Sequence, residues 1–132
     1  QLFANVYMNP LDQFAKHFLK ATHYVRYADD FVVLSPDREY LCAALHIVRR
    51  FLRDRLHLEL HPRKISITTV ASGVDFLGWV HFPDHRVLRT ATRRRMLRVI
   101  RSGAGEATCA SYRGLISYGN TKKIAKYIES LL

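Results

Sequence analysis

The sequence predicts an α+β chain, with strands and helices mixed over residues 1–88 and a purely helical stretch over 89–132. Three observations carry that expectation. Two β-prone runs, 23–27 and 31–35, flank the short polar group Ala28-Asp29-Asp30, the pattern of a hairpin with acids at its tip. Apolar residues at steps of three or four mark amphipathic helices on either side of it. Beyond residue 90 the strand-like runs stop, and Gly103, Gly105 and Gly119 divide the chain into three helical segments.

Taken in order, Phe3, Tyr7, Leu11, Phe14 and Phe18 place an apolar face on a helix over residues 2–20. Pro10 should kink it by removing the hydrogen bond to Val6. After the hairpin, Ser35-Pro36 reads as a helix cap followed by proline in the first turn, with Asp37 and Glu39 at the positive end of the dipole. Leu41, Leu45, Val48 and Leu52 line one face of that helix to about residue 56; Arg49, Arg50, Arg53 and Arg55 line the other. Strand-like pieces follow at 58–60 and 65–70, bent at His61-Pro62. Residues 74–82 and 86–88 read as a second hairpin around Pro83-Asp84-His85. The last helices are expected over 93–101, 107–118 and 121–131, Gly119 stopping the second and Asn120 capping the third.

The chain of 132 residues suffices for one modest core, or for a part-domain with an appended helical unit, and its 48% apolar content excludes a disordered polymer. Twenty-one Lys and Arg against 11 Asp and Glu leave a formal charge of +10, which points to a polyanionic partner, nucleic acid before an anionic membrane. No run approaches the roughly 18 to 20 apolar residues of a spanning helix, so no membrane partner is expected. Cys42 and Cys109 lie among apolar neighbours, as buried free thiols do in a reducing compartment, and a cytoplasmic location follows as the expectation. His81 and His85 lack the paired cysteines of a zinc site. The opening at Gln1, straight into Leu2-Phe3-Ala4, reads as a cut through a larger protein, and further residues upstream are the expectation.

Adjacent aspartates at a hairpin tip are, taken alone, turn formers. Here Tyr27 and the apolar run Phe31-Val-Val-Leu34 flank them, which suggests a strand covered on both faces and carboxylates held rigidly. Rigid carboxylates are the hard oxygen ligands that magnesium-dependent phosphoryl transfer requires, with two ions roughly 3.5–4 Å apart. Asp29 and Asp30 supply part of such a cage, and a third carboxylate from elsewhere must complete it.

The run Gln1-Leu-Phe-Ala-Asn5-Val-Tyr-Met-Asn9-Pro-Leu11-Asp12, followed by Tyr24-Val-Arg26-Tyr27-Ala-Asp29-Asp30-Phe-Val-Val-Leu-Ser35, resembles consecutive motifs of bacterial reverse transcriptases of the group II intron and diversity-generating retroelement type. Leu58-Glu-Leu-His-Pro-Arg-Lys64 is similar to a further palm motif of that family, and Val74-Asp-Phe-Leu77-Gly78-Trp79 to its primer-grip hairpin. The resemblance implies a palm remnant over 1–88 and a three-helix thumb over 89–132. Asp29 would ligate metal with Asp30 as its partner, using two magnesium ions or manganese in their place. Tyr27 and Ala28 would lie near the primer terminus and incoming nucleotide, and Gln1 and Asn5 on a helix facing template and nucleotide. Lys64 would approach the triphosphate, a solvated lysine being the competing reading. Leu77 and Gly78 would lie against the primer strand, Gly78 reading also as a bulge. Gln1, where intron-type enzymes carry proline, tilts the resemblance toward the retroelement type, whose partners include a small basic accessory protein, with a retron-like relative as the alternative. The family's other metal-binding aspartate lies upstream of residue 1, so these residues alone are expected to be inactive.

From Arg86 to Arg101 there are seven arginines and no acid: Arg86, Arg89, Arg93, Arg94, Arg95, Arg98 and Arg101. Like charges this dense repel unless a polyanion offsets them, so they predict contacts to the nucleic-acid backbone, while Met96, Leu97 and Ile100 face a core. Tyr112, Tyr118 and Tyr127 sit at helical spacing and read as core before base-stacking groups. The expected activity is RNA-directed DNA synthesis on an RNA template from a DNA or RNA primer and deoxynucleoside triphosphates. A non-catalytic RNA-binding or maturase-like module is the rival, and a basic ribosomal or nucleoid protein a third reading.

Overall fold

The computed structural model describes residues 2–129, which pack as two units divided between Ile67 and Thr68. In the first unit, helix α1 (Leu2–Gln13) runs uninterrupted through Pro10, and the irregularity comes a turn later, as a π-helical turn at Phe14–Phe18. There the Leu19 amide donates to the Phe14 carbonyl at 3.0 Å, and the widened turn lets Phe14 stack on Phe18 and on Phe51, with centroids 4.8 and 4.0 Å apart. Strands β1 (His23–Tyr27) and β2 (Asp30–Leu34) pair antiparallel around a two-residue turn, Ala28-Asp29, with Tyr27 opposite Asp30.

The cap of α2 (Arg38–Leu56) is Asp37 and not Ser35: its Oδ1 accepts the amides of Glu39 and Tyr40 at 2.8 and 3.1 Å. Ser35 instead accepts the amide of Asp37 through its hydroxyl, leaving Pro36 outside the helix. The buried stripe of α2 is Ala44, Val48, Leu52 and Leu56, one position round from the expected Leu41–Leu45 edge, which is only half-buried. With Met8, Leu11 and Leu19 it makes the first unit's core. Residues 58–60 and 65–70 form no strand; between them lies a 3-10 turn, Pro62–Lys64, and Val70 opens a second, Val70–Ser72.

The second unit holds a three-stranded meander, β3 (Val74–Phe76), β4 (Trp79–His81) and β5 (Arg86–Leu88), with helices α3 (Thr90–Arg101), α4 (Glu106–Ile116) and α5 (Lys122–Glu129). The run 74–82 is thus not one strand. Phe76 pairs with Trp79, so Leu77-Gly78 is a two-residue turn and Gly78 its second residue, not a bulge. Both residues have positive φ, +53° and +82°, the pattern of a type I′ turn. Trp79, Leu88, Met96, Ile100, Ile116 and Ile128 form one core, so this meander packs with the three helices. Thr121, not Asn120, precedes α5: its buried hydroxyl donates to the carbonyl of Ile116, while the Asn120 amide donates to Arg86 at 3.0 Å. The mixed helix-and-sheet content agrees with an α+β chain. No described helix is long and apolar enough to cross a membrane. Cys42 is half-buried and Cys109 buried, both as free thiols.

Candidate active site and arginine face

The β1–β2 hairpin has two chemically different faces. Alternation puts Tyr24 and Arg26 on one, half-buried and turned toward α1; Val25, Tyr27 and Asp30 share the other and are exposed. The expected burial on both faces does not occur: in this two-stranded sheet Phe31, Val32 and Val33 are half-buried and Leu34 is exposed. What stiffens the tip is a polar cluster. Arg26 donates from Nε and Nη2 to Oδ1 and Oδ2 of Asp12 on α1, at 2.7 and 2.6 Å, a bidentate pair with 9% and 23% of the two side chains exposed. The Tyr24 hydroxyl donates to the same carboxylate at 2.8 Å. Nη1 of Arg26 reaches Asn5 Oδ1 at 3.2 Å and the carbonyl of Ala28, in the turn itself, at 2.7 Å.

The electrostatics follow from those contacts. Hydrogen bonds from Arg26 hold the Asp12 carboxyl below the usual carboxylate range, overcoming the opposite effect of burial. Burial, and then the bond to Asp12, push the Tyr24 phenol up; the bond to Asp12 likewise raises the Arg26 guanidinium. Both Tyr24 and Arg26 therefore hold their protons across the physiological range.

The turn carries backbone strain. Ala28 has φ +54° while Asp29 does not share the positive region, the sign pattern of a type II′ turn, where glycine is the usual first residue. An alanine held there costs about 1 kcal/mol, tolerated where the surroundings over-determine the geometry. Asp29 and Asp30 are both exposed, and among the described residues neither carboxylate has a hydrogen-bond or ion-pair partner. They fit a divalent cation as hard oxygen donors, but only as part of its shell, since no group of three or more candidate ligands converges among the described residues.

The remaining expected residues are dispersed. Gln1 lies outside the described residues. Asn5 is exposed on α1 and occupied by Arg26. Tyr27 is half exposed beside Asp30. Lys64 ends the 3-10 turn, exposed, with its ammonium unpaired among the described residues. In the second unit, Gly78 accepts the Arg89 amide at 2.9 Å, and a Cβ on it would meet Thr92 Oγ1 at 3.2 Å.

The seven arginines divide into two sets. Arg86 lies over the Trp79 ring, 5.2 Å from its centroid, and donates to the Tyr118 carbonyl at 2.5 Å. Arg89 pairs with Asp75 at 2.8 Å, and Arg101 bonds the Tyr127 hydroxyl and lies over its ring. Arg93, Arg94, Arg95 and Arg98 are exposed and have no such partner among the described residues. Met96 and Ile100 are buried on the opposite side of α3, as expected, with Leu97 packed against their cluster. Tyr112 packs against the core, whereas Tyr118 is 69% exposed. An open depression of about 510 Å³, lined by His81, Phe82, His85, Arg86 and Tyr118 among others, lies at the end of the meander.

Asp12, Tyr24 and Arg26 were not anticipated as functional from the sequence. A signal existed: Asp12 is the sole acid, and Arg26 the sole arginine, in the first 28 residues. Comparison with family models gives a match over residues 1–81 to one described as reverse transcriptase (RNA-dependent DNA polymerase). Comparison with curated proteins gives no match.

Proposed function

The chain belongs to the reverse transcriptase family, and from that premise we propose that it forms the metal-binding hairpin, primer grip and thumb of an RNA-directed DNA polymerase. The observation that carries this reading is the β1–β2 tip: two adjacent carboxylates, exposed and without partners among the described residues, on a turn clamped from behind by Arg26. A surface pair held only to form a turn would spend its oxygens on local amides. These are left available.

In this reading Asp29 and Asp30 hold part of a magnesium or manganese shell that a further carboxylate completes. Ions held there by Asp29, Asp30 and that further carboxylate would supply Lewis acidity toward a primer hydroxyl and a leaving pyrophosphate. Tyr27, on the same exposed face as Asp30, borders the primer terminus and the incoming deoxynucleoside triphosphate together with Ala28; Gln1 and Asn5 belong to the same nucleotide and template side. Lys64 offers its exposed ammonium to the triphosphate. Leu77 and Gly78 grip the primer strand, and Arg93, Arg94, Arg95 and Arg98 track the template–primer phosphates without reading sequence. The functional boundary between palm and thumb lies near residue 88. A retroelement-type enzyme would add a small basic accessory protein.

Primer extension by the intact protein, with and without Asp29→Ala, tests this. Losing one carboxylate of the metal shell removes several kcal/mol of transition-state stabilisation, so the rate should fall roughly a thousandfold or more. Equal activity of the two proteins refutes the polymerase reading. A non-catalytic RNA-binding module predicts instead unchanged RNA affinity and no synthesis by either.

A further inference from the structure

Arg26 uses its donors in a way that links helix α1 to one peptide group of the β1–β2 turn. Four hydrogen bonds leave its guanidinium: two to Asp12, one to Asn5 and one to the carbonyl of Ala28. The first three anchor the fork on α1, where Asp12 is itself held by the hydroxyl of Tyr24. The fourth acts on the turn. A peptide group is planar, so holding the Ala28 carbonyl also sets the direction of the Asp29 amide, and with it the starting direction of the Asp29 side chain. The same bond opposes relaxation of Ala28 from its φ of +54°.

We propose that Arg26, anchored by Asp12, is a positioning residue that sets the direction of the Asp29 carboxylate toward the metal ions through the Ala28–Asp29 peptide. It touches neither substrate nor metal. A lysine at this position keeps the charge opposite Asp12 but is a point donor without the planar fork, so it cannot hold Asp12 in bidentate fashion and the Ala28 carbonyl together. A structural ion pair alone would make no use of the bond to the turn. This inference rests on Asp29 being a metal ligand, as proposed above.

The test compares wild type, Arg26→Lys, Asp12→Asn and Asp29→Ala in the intact protein. Three quantities are measured: melting temperature, Mn²⁺ binding by electron paramagnetic resonance without nucleotide, and kcat and KM for deoxynucleotide in primer extension. Residues that orient a metal ligand typically alter metal affinity or activity by 10–100-fold, and Arg26→Lys is expected to weaken Mn²⁺ binding and lower kcat within roughly that range, with KM little changed. Asp12→Asn, which keeps one oxygen acceptor, should show a smaller loss of the same kind, and it carries the test should Arg26→Lys fail to fold. A folded Arg26→Lys protein, or a folded Asp12→Asn protein in its place, with wild-type Mn²⁺ affinity and kcat overturns the proposal. Loss of melting temperature without either change assigns the pair to stability alone and overturns it equally. If instead Asp29→Ala keeps full activity, the polymerase reading itself fails, whatever Arg26→Lys does.

Discussion

Gly119→Ala should destabilise the second unit severely, although it adds a single methyl group. Gly119 has no positive φ, so alanine meets no backbone penalty; the obstacle is steric. The added Cβ would stand 2.1 Å from Cζ3 of Trp79 and 2.5 Å from Cη2, where ordinary contact begins at 3.4 Å. The indole must retreat by more than about 1 Å. It is 7% exposed, it packs in the cluster of Leu88, Met96, Ile100, Ile116 and Ile128, and it carries the Arg86 guanidinium over its ring. Overpacking of this kind costs about 1–3 kcal/mol, and a rigid ring with its far side occupied belongs at the top of that range, about 3 kcal/mol. For a unit of this size each kcal/mol lowers the melting temperature by roughly 4–8 °C, so a drop of roughly 12–24 °C is expected.

Trp79 is the sole tryptophan, so its fluorescence during thermal and urea unfolding reports on this unit directly. Gly114→Ala is the matched control: it lies inside α4 with nothing within 4 Å of the new Cβ, and should stabilise by about 0.5–1 kcal/mol. A Gly119→Ala protein within about 0.5 kcal/mol of wild type, the spread of an uninvolved surface change, would refute the packing argument. So would a shift of both variants in the same direction.

Removing Arg94 and Arg98 together should lower the slope of log affinity against log salt by about 2 for a template–primer duplex, uniformly across sequences; a slope unchanged on filter binding removes α3 as a phosphate-contacting face. The Asp12–Arg26 pair predicts a pH dependence of definite sign. Because Arg26 lowers the Asp12 pKa in the folded state, its stabilisation is complete above the unfolded carboxylate value of about 3.9 and is lost as pH falls through the lower folded value. Urea titrations should therefore show Asp12→Asn about 2 kcal/mol less stable than wild type at pH 7, a gap that narrows below pH 4. A gap independent of pH would show that the carboxylate charge contributes nothing.

The elements most readable in the sequence were those whose patterns are local. The periodic apolar face of α2, the acid-tipped hairpin and the glycine-divided helices all appear close to their expected places. The misplaced boundaries have specific causes. Ser35 and Asp37 are both good caps two residues apart, and only geometry shows that the Asp37 carboxylate receives two helix amides. Leu77 has the side chain of a strand residue, so nothing local announces that it occupies a left-handed turn position. Pro10 removes one hydrogen bond yet leaves α1 continuous, the widened turn falling at Phe14–Phe18. Within the candidate site, Asp29 and Asp30 were legible from residue type and turn context. The clamp behind them was not, because a pair 14 residues apart across a helix and a strand leaves no periodic trace. The split among the arginines was equally hidden, since the partners of Arg86 and Arg101 lie 32 and 26 residues further along.

The main-chain bond from Arg89 to Gly78 has a mechanical implication. It fastens the root of α3 to the bend between β3 and β4, and the Arg89 side chain pins Asp75 on the same hairpin. Bend and helix are thus tied by a main-chain and a side-chain bond at once, so the Leu77–Gly78 turn and the first turn of α3 are held at a fixed spacing.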